Sequence, residues 1–171
     1  MSTGLLIARL VFGTVMAAHG SQKLFGWFGG YGIAGTGGFF ESAGFRPGRV
    51  LAFAAGLGET ASGLLIALGL FGPIGPAVML SVMIVAGSLH WNNGLFATSQ
   101  GIELPLLYGA GAVALALTGY GGYSLDALFG IVGLWTPELV WAALAVGVVG
   151  GVVNLARRRV PEQTATATAA A

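Results

Sequence analysis

The sequence has no cysteine. That excludes disulfides, thiol catalysis, cysteine-ligated iron–sulfur clusters and c-type haem attachment. Charge is almost as scarce: only 8% of the 171 residues are Asp, Glu, Lys or Arg, where an ordinary soluble domain carries about 25%. There is too little charge to coat a water-facing surface. The net charge of +1 also argues against nucleic acid, which binds through dense basic patches. What the chain does have is apolar bulk, with 56% hydrophobic residues and 31 glycines. It reads as an all-α integral membrane helix bundle.

A transmembrane helix needs roughly 20 mostly apolar residues. Five windows qualify: about Gly4 to Phe28, Arg49 to Phe71, Ile74 to Trp91, Ile102 to Tyr120 and Glu138 to Ala156. Gly72 and Pro73 make the turn between the second and third, and Pro137 after Thr136 opens the fifth, since proline is tolerated where a helix begins. Pro105 falls in the first turn of the fourth, where its missing N–H has no intrahelical partner to lose. Met1-Ser-Thr-Gly is uncharged and Arg9 interrupts the first apolar run, so the first span is expected to be retained, not cleaved as a signal. The tail from Pro161 is low-complexity Thr and Ala and is expected to be disordered. No internal repeat is evident.

Basic residues orient the chain. With five spans, Lys23, Arg46, Arg49 and Arg157 to Arg159 all fall at the side reached by the end of the first span. The positive-inside rule makes that side cytoplasmic and the N-terminus external. Trp27, Phe28 and Trp91 would then mark the inner interface, and Tyr120, Tyr123 and Trp135 the outer one.

Two motifs look like chemistry and are better read as packing. Gly30-Tyr-Gly32-Ile-Ala-Gly35 matches a dinucleotide fingerprint, but that motif works only between a strand and a helix. Here it follows a membrane helix and reads as a folded loop. Thr36 is placed to cap a short helix over Gly37 to Ala43, stopped by Gly44. Gly147 and Gly151 form a G-x-x-x-G in the fifth span, a helix-contact face.

Ionisable groups inside membrane spans are rare and usually face the bundle interior or a cavity. This chain has Arg9, His19 and Lys23 in the first span, Glu59 in the second, His90 late in the third and Glu103 early in the fourth. At 100° per residue, His19 lies about 80° from Arg9 and Lys23 about 40° on the same side, one polar stripe on an apolar helix. By depth, His19, Lys23, His90 and Glu103 converge on the cytoplasmic leaflet, with Gln22, Asn92 and Asn93 near. Arg9 and Glu59 approach each other deeper, where an unpaired charge is costly, so they are expected to form an ion pair. Ordinary roles are open to the others. Lys23 can snorkel, His90 can be an interfacial histidine, and Glu103 a first-turn acid favoured by the helix dipole. His19, deeper and on the polar stripe, has the weakest claim to packing alone.

At these residues the chain resembles the DoxX family of small bacterial membrane proteins. The resemblance rests on Arg9-Leu-Val-Phe-Gly13, on His19-Gly-Ser-Gln-Lys-Leu-Phe-Gly26, and on the glycine-rich run to Gly37-Gly-Phe-Phe40 with Gly44 and Pro47. It continues through Glu59, Ser62-Gly63, Leu68-Gly69, His90, Gly94-Leu-Phe96, Gly101-Ile-Glu103, Gly119-Tyr-Gly121 and Tyr123-Ser-Leu-Asp126. It covers about Leu5 to Asp126 and implies a four-helix domain over 1–126. The helix within 127–160 is an addition to the family pattern, and 161–171 the tail.

The resemblance also implies a multi-pass protein of the bacterial plasma membrane that serves in redox assemblies. Relatives form part of a thiosulfate:quinone oxidoreductase, and one is associated with superoxide dismutase and a thiosulfate sulfurtransferase. With no thiol, this chain cannot carry sulfur as a persulfide, so a partner would supply that chemistry.

The leading expectation is therefore an oxidoreductase subunit with a quinone as its cofactor. His19, Lys23, Glu59 and His90 would hold the headgroup, and His19, His90 and Glu103 would donate protons. The rival is a scaffold that tethers soluble redox enzymes in the bilayer without catalysis of its own. A metal or haem b site through His19 and His90, with Glu59 and Glu103, is disfavoured because the groups lie at unequal depths and lack ligand-pair spacing. A small-solute carrier lacks its usual paired broken helices.

Overall fold

Two pairs of glycines set the packing of the first half of the chain. The computed structural model describes residues 2–159, all of whose regular structure is helical. Helix α1 (Ser2–Phe25) lies antiparallel along α3 (Gly48–Leu68), the most extensive contact in the bundle. A Cβ on Gly13 would stand 2.5 Å from the Ala67 nitrogen and 2.6 Å from the Gly63 carbonyl oxygen, and one on Gly20 would stand 2.5 Å from the Gly56 carbonyl oxygen. Backbone therefore meets backbone, as small residues allow between membrane helices. That contact also fixes the register, with Gly13 level with Gly63 and Gly20 level with Gly56.

The register overturns the expected Arg9–Glu59 pair. Glu59 falls level with the Ala17–His19 stretch of α1, within reach of its partner Lys23, and Arg9 falls level with Gly69. The two expected partners are thus about half the length of α3 apart, roughly 15 Å at ~1.5 Å per residue.

Between α1 and α3 the chain forms a 3-10 turn at Trp27–Gly29 and then α2 (Gly32–Ser42). The expected helix over Gly37 to Ala43 starts earlier than its pattern suggested, and Thr36 is a buried residue inside α2, not its cap. The glycine-rich start is held by packing. Gly37 lies against Arg49 and Gly48 at the beginning of α3, a contact that outweighs glycine's poor helix propensity.

Gly69, in the left-handed region at φ 67°, ends α3, and α4 (Ile74–His90) returns antiparallel to it. Helix α4 is the hub, packed on α3, on α5 (Glu103–Thr118) and on α7 (Pro137–Ala156). Met16, Ile66, Met79, Ala112 and Leu115 bury the centre where α1, α3, α4 and α5 meet. The Gly147–Gly151 face of α7 seats on Ala77 and Ile84 of α4, so this motif is a contact within the chain. Thr136 caps α7 by accepting from the Leu139 N–H at 3.5 Å, ahead of Pro137 in the first turn.

Among the described residues four helices are long and apolar enough to cross a membrane: Ser2–Phe25, Gly48–Leu68, Ile74–Asn93 and Pro137–Ala156. The window expected over Ile102 to Tyr120 is a shorter apolar helix, the 16 residues of α5. It spans about 24 Å at ~1.5 Å per residue, against a hydrocarbon core of about 30 Å. Gly119 at φ 69° stops it. Helix α6 (Leu125–Leu128) is a single turn in the α5–α7 connection. The tail expected from Pro161 lies outside the described residues.

Candidate functional site

A cavity of about 1000 Å³ opens at the Lys23 end, where α1, α2, α3, α4 and α7 contribute to one wall. The helices supply mostly apolar side chains, among them Phe39 and Phe40 of α2, Val78 and Val82 of α4 and Val146 of α7. Polar groups are few: Gln22 and Lys23 from α1, Tyr31 just before α2, Thr36 from α2, Glu59 from α3, Ser81 and His90 from α4 and Asn154 from α7. An apolar chamber with a few placed polar groups is the usual form of a small-molecule site.

Its fixed charge is the Lys23–Glu59 ion pair, Nζ to Oε2 at 2.5 Å, with the lysine side chain 25% and the glutamate 4% exposed. The glutamate is the buried member. The lysine, at the end of α1, stays half-open to the cavity. Thr36 is buried yet lines the chamber.

His19 lies beside this wall and reaches it through Gln22. Gln22 donates its Nε2–H to the Phe28 carbonyl at 3.1 Å, which turns its Oε1 towards His19 Nδ1, also at 3.1 Å. Since an amide oxygen only accepts, His19 carries its hydrogen on Nδ1. The His19 ring also meets Tyr108 edge-on at 6.2 Å. His90 donates from Nδ1 to the Gln100 carbonyl at 2.7 Å, leaving Nε2 as its free ring nitrogen. Glu103 Oε2 accepts the Ala97 N–H at 2.8 Å. Both side chains add to the hydrogen bonds that hold the α4–α5 loop, where Asn93 also donates to the Gln100 carbonyl.

The structure thus brings Lys23, Glu59 and His90 to one cavity and joins His19 to it through Gln22. Glu103, the first residue of α5, lies outside the lining. The sequence assigns Asn154 no role, and Thr36 only that of a helix cap. Asn154 had a signal of its own, as the one amide in an apolar helix, a turn before the arginines. No group of three or more His, Asp or Glu among the described residues is placed to hold a metal ion.

The wall is closed by the end of α7. Arg158 Nε donates to the Ala43 carbonyl and the Arg159 N–H to the Gly44 carbonyl, both at 2.8 Å. The Arg158 guanidinium also lies 5.5 Å from the centre of the Phe45 ring, a cation–π contact.

At the opposite end Arg9 forms a second cluster. Its Nη2 donates to the Tyr123 carbonyl, and its guanidinium lies 5.6 Å from the centre of the Tyr120 ring. The nearby Asp126 carboxylate takes three other donors: the N–H groups of Phe71 at 2.8 Å and Gly72 at 2.7 Å, and Trp135 Nε1 at 2.9 Å. Asp126 therefore ties the α3–α4 turn to the segment before α7.

Four membrane-length apolar helices around a buried ion pair define the class: a multi-pass membrane protein of the lipid bilayer. The family model described as DoxX matches residues 4–91, more than half of the chain, and the chain belongs to the DoxX family. The match covers α1 to α4. Helix α7, which completes the cavity, lies outside it. No curated protein and no solved structure matches the chain.

Proposed function

We propose that this protein is the membrane subunit of a bacterial plasma-membrane redox complex, and that its cavity receives a quinone headgroup. The observation that carries this reading is a large, mostly apolar chamber with a lysine–glutamate pair, a histidine, a threonine and an asparagine in its wall. That donor set fits a carbonyl-bearing ring: Lys23 Nζ, the Thr36 hydroxyl and the Asn154 amide can donate to ring oxygens, and the valines and phenylalanines suit the ring and its tail. All six Lys and Arg outside Arg9 lie towards this end of the chain's spans, which supports a cytoplasmic mouth.

A quinone bound there supplies two-electron chemistry, taking up two electrons and two protons. Electrons come from a partner, since the chain has no redox-active thiol. The resemblance suggests enzymes of thiosulfate or superoxide chemistry for that role. The chain's own task is to hold the headgroup and pass protons. Lys23 is the hydrogen-bond donor nearest the buried Glu59, and Glu59 keeps the ammonium in place. His90 in the wall and His19 behind Gln22 are the side chains assigned to proton delivery. Gln22 fixes the His19 tautomer.

The test is a titration of the purified full chain, in mild detergent, with a short-tailed benzoquinone, read as a saturable rise in melting temperature. Lys23→Met and Asn154→Leu should each weaken binding about tenfold, the scale of one hydrogen bond in a dry site. No stabilisation by the quinone, or equal affinity in both variants, rejects the site and leaves the chain as a tether for soluble redox enzymes.

A further inference from the structure

We infer that the Asp126 end of the bundle holds a small monovalent anion, of halide size, between the Arg9 guanidinium and the Tyr120 hydroxyl. Among the described residues, the buried side-chain nitrogen and oxygen atoms without a protein partner are Arg9 Nε, Arg9 Nη1 and Tyr120 Oη. They belong to two side chains in contact, with the guanidinium against the face of the phenol ring. Arg9 is 1% exposed and Tyr120 4%, so bulk water does not reach them. Buried polar groups are nearly always hydrogen-bonded, and a local group of exceptions points to an occupant.

The chemistry of the three atoms selects that occupant. Each carries a hydrogen to donate, and a guanidinium has no acceptor. Burial pushes the Tyr120 phenol above its ordinary value, so the hydroxyl keeps its proton. A water molecule has two acceptor positions, whereas a halide accepts from every side. Arg9 makes no direct ion pair, because both Asp126 oxygens are turned to the amides of Phe71 and Gly72 and to the Trp135 indole. The carboxylate's charge is still felt at longer range by both Arg9 and Tyr120. The seat is narrow as well as polar: Gly69 packs so closely on Nη1 that a Cβ there would overlap the guanidinium.

Tyr120 also lines a second cavity, of about 540 Å³, with Ser124, Asp126 and Trp135. Arg9 is not part of that wall, so the phenol stands between the cavity and the guanidinium. Gly119 and Gly121, at φ 69° and 73°, flank the tyrosine with the residue type best able to let it turn. The cavity is thus the path by which an anion reaches Arg9.

The test uses the purified full chain in detergent, with sodium chloride exchanged for sodium gluconate at constant ionic strength. Chloride should raise the melting temperature saturably, and gluconate, too bulky for the seat, should not. Tyr120→Phe keeps the ring and removes the donor, so its chloride midpoint should rise about tenfold. Glu59→Gln, at the far end, should leave the midpoint unchanged. Equilibrium dialysis of the wild-type chain against radioactive chloride should show one saturable site, a reading that stands even if Tyr120→Phe fails to fold. Superimposable melting in the two salts, no retained chloride, or an unchanged midpoint in Tyr120→Phe overturns the proposal. Those outcomes would leave water as the occupant, and they do not touch the quinone reading.

Discussion

The two ends of this bundle each bury a positive and a negative charge, and they do so by opposite means. At the Lys23 end the partners meet directly at 2.5 Å, and the lysine keeps a quarter of its side chain exposed. At the other end Arg9 and Asp126 stay apart, the arginine on a carbonyl and the carboxylate on three N–H donors. The contrast follows from the side chains and their neighbours. A lysine is a flexible point charge that can pair while staying in contact with water; an arginine's rigid fork suits fixed carbonyls and aromatic faces. The direct pair lines a cavity, while Asp126 ties loops together. One end carries its charge pair on a cavity wall, and the other uses its carboxylate to hold the helix connections in place.

The comparison breaks most completely where both ends depend on one contact. Gly63→Leu would force a branched side chain between the backbones of α1 and α3, against Ala17 and Gly13. Overpacking there should destabilise by more than about 4 kcal/mol, the range reserved for gross core disruption. Both clusters should be lost together, seen as aggregation on size-exclusion chromatography and no cooperative melt.

The next effect should separate the ends. Asp126→Asn replaces an acceptor of three N–H groups with an amide whose NH₂ faces them, for a loss of about 2–3 kcal/mol. Glu59→Gln should lose only about 1 kcal/mol, because Lys23 is partly exposed and can turn to water. Melting temperatures of the two variants in one detergent check this, and a larger loss in Glu59→Gln would reverse the assignment of roles.

The smallest effect sharpens the picture at the cavity mouth. His90→Gln retains a donor for the Gln100 carbonyl, so stability should stay within about 0.5 kcal/mol of wild type. A marked fall in melting temperature would make His90 a structural strut of the loop.

Much of this architecture was legible in the amino-acid sequence, and the misses have physical causes. The apolar runs marked α1, α3, α4 and α7, and Thr136 with Pro137 marked the start of the last of them. Helix α5 came out shorter than its run because Gly119 turns the chain left-handed before the apolar residues end. Arg9 was assigned the wrong partner because depth was judged helix by helix. The seven-residue spacing of Gly13 and Gly20, matched by Gly56 and Gly63, carried the register that takes Glu59 away from Arg9 and within reach of the Lys23 side chain. The polar groups of the Lys23 end were legible as a set, but the cavity was not. Thr36 and Asn154, more than a hundred positions apart, reach it only after α2 and α7 have packed.

The docking of α7 also bears on the order in which the protein is made. The chain emerges N-terminus first, and earlier parts fold before later ones. Helices α1 to α4 can pair as they are synthesised, yet the wall with Val146, Gly150 and Asn154 is absent until α7 follows. The seal at Ala43 and Gly44 waits longer still, for Arg158 and Arg159. The chamber is therefore among the last features to form, and a nascent chain cannot close it around a ligand before its final helix is in place.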